Sequence, residues 1–133
     1  MENFNKLLKK GLELQKKGSF KEALKIYNEL ILKDKKNAQL LLFLGTLHLQ
    51  INNNEEAKNY LELSLDIEKN NITTISNLAL AYEKLEKKEE AIKLFKKSIE
   101  ISHNNPETFF RIANLYSSEK KYELAIENYQ KAI

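Results

Sequence analysis

The sequence predicts an all-α fold in which four helix–turn–helix hairpins of one repeated length follow each other along the chain. Three observations carry this. Alanine recurs at one fixed interval, at Ala23, Ala57, Ala91 and Ala125. Turn-forming residues are scarce, with three glycines and one proline in 133 residues, and the rest is rich in Leu, Lys, Glu and Ala. Between turn signals the apolar residues fall at i, i+3, i+7, as in Leu41, Leu44 and His48, with Ile51 next, which is helical periodicity.

The repeat is present in more than one column. Four positions after each alanine stand Tyr27, Leu61, Phe95 and Tyr129, and twelve before it Gly11, Gly45, Ala79 and Ala113. Three positions after those come Leu14, His48, Tyr82 and Tyr116. The small columns suit two helices that cross closely. The large ones suit the space between successive hairpins. Asn37, Asn71 and Asn105 precede the later hairpins, and an asparagine there can cap a helix by accepting a bond from a free backbone N–H. Asn105-Pro106-Glu107 adds proline at the first helical position and an acid in the first turn. Gly18-Ser19 and Asn52-Asn53-Asn54 mark turns inside the first two hairpins.

These columns resemble the tetratricopeptide repeat (TPR). The small–large–small–large signature is seen in Gly45, His48, Ala57 and Leu61, and again in Ala79, Tyr82, Ala91 and Phe95. The sequence departs from the family at three places. Leu7, Leu41 and Ile75 replace an aromatic near the start of the first helix, where only Phe109 keeps one. Lys35, Lys69 and His103 replace a proline near the end of the repeat, and Leu30 replaces a small residue late in the first hairpin. The resemblance covers essentially the whole chain. It implies a right-handed α-solenoid of antiparallel helix pairs, a TPR-like superhelix of about four repeats. We expect one domain over residues 1–133, with repeats at 4–37, 38–71, 72–105 and 106–133. Lys10 stands in a column that later holds Leu44, Leu78 and Ile112, as suits a first repeat facing water. The last helix carries Tyr122, Ile126, Tyr129 and Ile133 with no polar capping helix after it. That leads us to expect either a piece of a longer protein or self-association through this face.

Composition excludes several classes of function. With no cysteine there is no disulfide framework or thiolate chemistry. The net charge is only +3, and the paired lysines, such as Lys9-Lys10 and Lys96-Lys97, are interspersed with glutamates. That pattern reads as solvated helix surface, so no nucleic acid is expected as partner. The most apolar stretch, Ala38 to Ile51, is too short for a bilayer and is interrupted by polar residues, so we expect no membrane partner and a cytoplasmic location. The N-terminus lacks the apolar core of a signal peptide. His48 and His103 are far apart in sequence, and His48 falls in a tyrosine column, so it reads as a packing residue and not as a metal ligand. There is no phosphate-binding loop and no Ser/His/acid set. We therefore expect no catalysis, no metal and no cofactor.

What the resemblance implies about binding is a concave groove lined by the first helices. The residues mapped to it are Leu8, Leu12, Leu42, Phe43, Thr46, Leu49, Asn77, Leu80, Phe110, Arg111 and Asn114. They run from an apolar shelf to a polar end that holds the chain's one arginine, which suits a peptide with an apolar anchor and an acidic or carbonyl-rich segment. Relatives that grip the C-terminal carboxylate of heat-shock chaperones need lysine and asparagine where this chain has Leu42 and Thr46, and a cation where it has Glu107. A chaperone-tail receptor is not expected. The leading expectation is a protein-interaction scaffold. Two alternatives stand beside it: the recruiting N-terminal arm of a larger enzyme such as a transferase, and a structural array that assembles through Tyr122, Ile126, Tyr129 and Ile133.

Overall fold

The computed structural model describes residues 2–133 as eight α-helices: α1 (Glu2–Lys16), α2 (Phe20–Lys33), α3 (Ala38–Gln50), α4 (Asn54–Ile67), α5 (Ile72–Lys84), α6 (Lys88–Ile101), α7 (Pro106–Ser118) and α8 (Tyr122–Ala132). Among the described residues there is no strand. They pair as hairpins α1–α2, α3–α4, α5–α6 and α7–α8. The architecture is an all-α array of TPR-like helix pairs. The chain divides into two compact halves, the first ending at Lys69 and the second beginning at Asn70.

First and second helices begin by different physics. Asn37, Asn71 and Asn105 each cap a first helix: their Oδ1 atoms accept bonds from the N–H of Leu40 at 3.0 Å, Thr74 at 3.2 Å and Thr108 at 3.2 Å. The second helices have no side-chain cap at Ser19, Asn53, Lys87 or Lys121. They carry acids in the first turn instead: Glu22, then Glu55 and Glu56, Glu89 and Glu90, and Glu123. There the positive end of the helix dipole favours them.

The turn inside every hairpin is one motif used four times. Gly18, Asn52, Glu86 and Lys120 stand at the same place in successive repeats, and all have positive φ, at 83°, 64°, 62° and 64°. The N–H of the next residue reaches back to a carbonyl in the last turn of the first helix: Ser19 to Leu14, Asn53 to His48, Lys87 to Tyr82 and Lys121 to Tyr116, at 2.8–2.9 Å. The positive-φ residue itself donates to the carbonyl three back, as from Gly18 to Gln15. This is the Schellman closure of a helix, which needs a left-handed residue at its corner. Glycine and asparagine adopt that conformation readily, whereas glutamate and lysine do so at a cost of ~1–2 kcal/mol. Glu86→Gly and Lys120→Gly are therefore expected to raise stability by ~0.5–1 kcal/mol each after glycine's entropic cost. Urea unfolding checks this, with Lys93→Gly at an exposed site in the α6 interior as the contrasting loss.

Cores form where the small and large columns meet. In the first half Phe4, Leu8, Ala23, Tyr27, Leu30, Leu40, Leu44 and Leu47 cluster. Gly11 is small because a Cβ there would stand 2.5 Å from Cε1 of Tyr27, and Gly45 because one would stand 2.5 Å from Cγ of Leu61. In the second half Ala79, Ala91, Ile92, Phe95, Ile112, Leu115, Tyr116 and Ala125 cluster. The late second-helix position holds buried Leu30 in α2. In α4 it holds Ser64, whose hydroxyl donates to the Ala38 carbonyl at 2.9 Å. In α6 it holds Ser98, 3.3 Å from the Ser76 hydroxyl. Lys10 is exposed on α1, as its place in the first repeat suggests.

Candidate functional site

The first helices of each half line a shallow cleft. In the first half the cleft is about 220 Å³ and is lined by Asn5, Leu8, Lys9 and Leu12 of α1 with Gln39 and Phe43 of α3. In the second half it is about 210 Å³, and its lining includes Ser76 and Leu80 of α5 with Glu107 and Arg111 of α7. These four occupy the positions of Leu8, Leu12, Gln39 and Phe43, each two repeats further along the chain. The two halves thus present one geometry with different chemistry.

The first cleft is apolar at its base. Leu8 is buried in the core, and Leu12 and Phe43 are half-buried. Phe43 is seated by Tyr27, with ring centroids 6.1 Å apart. Tyr27 is in turn fixed from below: its hydroxyl donates to Oε1 of Gln15 at 2.8 Å, and Nε2 of Gln15 donates to Oε1 of Gln50 at 2.7 Å. Burial pushes the Tyr27 hydroxyl well above the ordinary tyrosine pKa, so it stays a donor. Asn5, Lys9 and Gln39 are exposed at the edge.

The second cleft is ionic where the first is aromatic. Arg111 holds Glu107 through Nη2 at 3.2 Å and approaches Glu83 through Nη1 at 3.8 Å. Such partly exposed pairs contribute ~0–1 kcal/mol each, so a ligand can exchange for them. Thr108, at the back of the cleft, is buried.

The other expected groove residues have varied surroundings. Leu49 is buried, like Leu8, so both support the helices that carry the cleft. Leu42, Thr46, Asn77 and Leu80 are half-buried, and the Thr46 hydroxyl donates to the Leu42 carbonyl at 2.8 Å. Phe110 is exposed and lies 5.6 Å from the Tyr129 ring, while Asn114 accepts the Tyr129 hydroxyl. Of the four residues expected to self-associate, Tyr122, Ile126 and Ile133 are exposed and Tyr129 is half-buried against α7. Asn5, Lys9 and Gln39 complete the first cleft; they fall in groove-facing columns of the first helices but were not singled out as site residues.

His48 is a packing residue. It is buried, its ring stacks on Tyr60 at 5.5 Å, and Nδ1 lies 3.3 Å from Nδ2 of Asn53. Burial lowers its pKa and so favours the neutral ring in the stack, while Glu56 pulls the other way. Among the described residues no group of three His, Asp or Glu side chains is placed to hold a metal ion, and no helix is long and apolar enough to cross a membrane.

Comparison with known proteins follows the repeat. The family model for the coatomer epsilon subunit matches residues 12–130. The chain belongs to that family. Comparison with the curated proteins finds no match. Among solved structures, a crystal structure of MamA superposes with a TM-score of 0.93 at 21% identity, covering 98% of this chain and 76% of that one. A second crystal structure of MamA gives 0.92 at 21% identity, with 98% and 71% covered. MamA (residues 41 to the end) from Desulfovibrio magneticus RS-1 gives 0.92 at 17% identity, with 97% and 73% covered. At these identities the likeness is one of fold. It joins the coatomer epsilon family match in placing the chain among TPR-like helix-pair arrays.

Proposed function

We propose that this chain is a protein-interaction module that takes peptide segments in its first-helix clefts and has no catalytic activity of its own. The observation that carries the reading is the repetition of one cleft at one register, Leu8–Leu12–Phe43 in the first half and Ser76–Leu80–Arg111 in the second. A cleft of this size accepts one or two side chains of an extended or helical segment. Phe43 and Leu12 suit an apolar anchor, and Asn5 and Gln39 can meet backbone groups flanking it. Lys9 adds a cation for an acidic neighbour of that anchor. In the second cleft Arg111 suits carbonyls or a carboxylate in exchange for Glu107.

Selection from a random peptide library tests this. Enriched peptides are expected to share an aliphatic or aromatic anchor, and Phe43→Glu should weaken them at least tenfold, about 1.4 kcal/mol. Peptides bound equally by wild type, Phe43→Glu and Arg111→Glu would sink the cleft as the site.

A further inference from the structure

Leucine stands at position 63 where every other repeat carries a charge. The column reads Glu29, Leu63, Lys97 and Lys131, so the packing of the hairpins does not require an apolar residue there. Leu63 is 51% exposed on α4, and Ile67, one turn further along, is 46% exposed. With Glu56 and Tyr60 they fall at i, i+4, i+7 and i+11, a stripe along one side of the helix with the alternating spacing of a helix-docking seam. Tyr60 gives the stripe a fixed point, since its ring is stacked on His48. α4 has hairpins before and after it in the chain, so this side is open at an internal repeat.

Among the described helices α4 is also the most acidic. It carries Glu55, Glu56, Glu62 and Asp66 against one lysine, Lys58, in a chain whose net charge is +3. Lys58 is engaged by Glu55 at 2.7 Å. Glu56 lies on the stripe and Asp66 stands three positions after Leu63, and both are exposed.

We infer that this stripe docks a basic amphipathic helix of a partner protein. Apolar side chains of that helix cover Leu63 and Ile67, and lysines or arginines along its flanks meet Glu56 and Asp66. Charge decides among occupants. A second copy meeting α4 to α4 brings carboxylates against carboxylates, and an anionic lipid surface or a nucleic acid is repelled in the same way. The stripe lies on a second helix, so the inference does not rest on the first-helix clefts.

The probe is a blocked, lactam-stapled helical peptide about two heptads long, with leucine at the a and d positions and lysine elsewhere. It is titrated into the full chain while the Leu63 and Ile67 methyl signals are followed by NMR. Saturable shifts with a Kd below ~1 mM are expected, the range of a single-helix contact. Leu63→Gln removes the apolar contact at constant charge, and Asp66→Lys reverses a charge beside it. Each should weaken binding by about fivefold or more. The charged residues in the Leu63 column of the other repeats indicate that Leu63→Gln folds. Circular dichroism checks this, and Ile67→Gln, in a column that holds Lys33, serves if it does not. The same peptide with glutamate in place of lysine should give no saturable shift. Phe43→Glu should leave this binding unchanged, so failure here and failure of the cleft reading are distinguishable. Absence of saturable shifts at Leu63 and Ile67 would overturn the inference. So would equal binding of the glutamate peptide, or binding weakened by Asp66→Lys but not by Leu63→Gln, which is unspecific ionic attraction. Sedimentation showing a dimer that Leu63→Gln abolishes would overturn it in favour of a second copy.

Discussion

Gly45→Val is expected to cost ~3 kcal/mol of stability, a large share of the ~5–15 kcal/mol that holds an ordinary domain together. Two effects oppose each other at this position. Glycine in a helix interior is the poorer residue, so alanine would gain ~1 kcal/mol from backbone entropy alone. Against that, a Cβ on Gly45 would stand 2.5 and 2.7 Å from Cγ and Cδ2 of Leu61 and 3.4 Å from the Ala57 carbonyl. Leu61 is fully buried, so it has nowhere to rotate. Overpacking a closed core costs ~1–3 kcal/mol, occasionally more, and rises with each added methyl group. Gly45→Ala should therefore lose ~1 kcal/mol on balance, and valine considerably more. Gly18→Ala separates the causes, because it meets nothing within 4 Å and suffers only from its φ of +83°. Urea midpoints at constant m-value give the comparison. A gain of stability in Gly45→Ala would mean that α3 and α4 do not cross as closely as described.

Tyr27→Ala is expected to cost ~3–5 kcal/mol and to disable the first cleft together with the core beneath it. The ring is wholly buried, fills the space that Gly11 leaves, and seats Phe43. Removing it opens a cavity and frees Phe43 from its support. Tyr27→Phe isolates the polar part: Gln15 keeps its bond to Gln50 but loses the donor to Oε1, which should cost ~1–3 kcal/mol. Hydrogen exchange is the informative measurement, because stability in repeat arrays is a sum of local and nearest-neighbour contributions. Protection should fall in α1–α3 in both variants and stay high in α7 and α8. A uniform loss along the chain would show that the four repeats unfold only together.

The fold was legible in the sequence because its columns are set by volume, and volume is written in residue identity. Gly11 and Gly45 could be read as close crossings without coordinates, but the large residues they face, Tyr27 and Leu61 of the same hairpin, were expected between successive hairpins. The asparagine caps were legible for the same reason, since few other side chains do that work. The corner residues Glu86 and Lys120 were not. Nothing in a glutamate or lysine announces a left-handed backbone, and only their register with Gly18 and Asn52 gives them away. The clefts were legible in part. The columns that line them could be drawn, but burial depends on what stands above each side chain. Leu49 was expected in the groove with Leu12 and Phe43 yet is buried, and Leu8 reaches the first cleft with only 5% of its surface exposed. Nor does spacing alone reveal that Arg111 is met by Glu83, from the end of α5 in the preceding hairpin, as well as by Glu107 one helical turn away.

The pairing of Phe43 with Arg111, and of Gln39 with Glu107, has a consequence for how such a chain can change over generations. Gln39 and Phe43, which become Glu107 and Arg111, belong to columns other than those of the alanines, glycines and large core side chains; only Leu8, which becomes Ser76, also serves the core. A repeat copied in tandem can therefore exchange an aromatic floor for an ion pair while its hairpin packs as before. Recognition and folding are inherited as separate traits, and selection can rewrite the first with little penalty in the second.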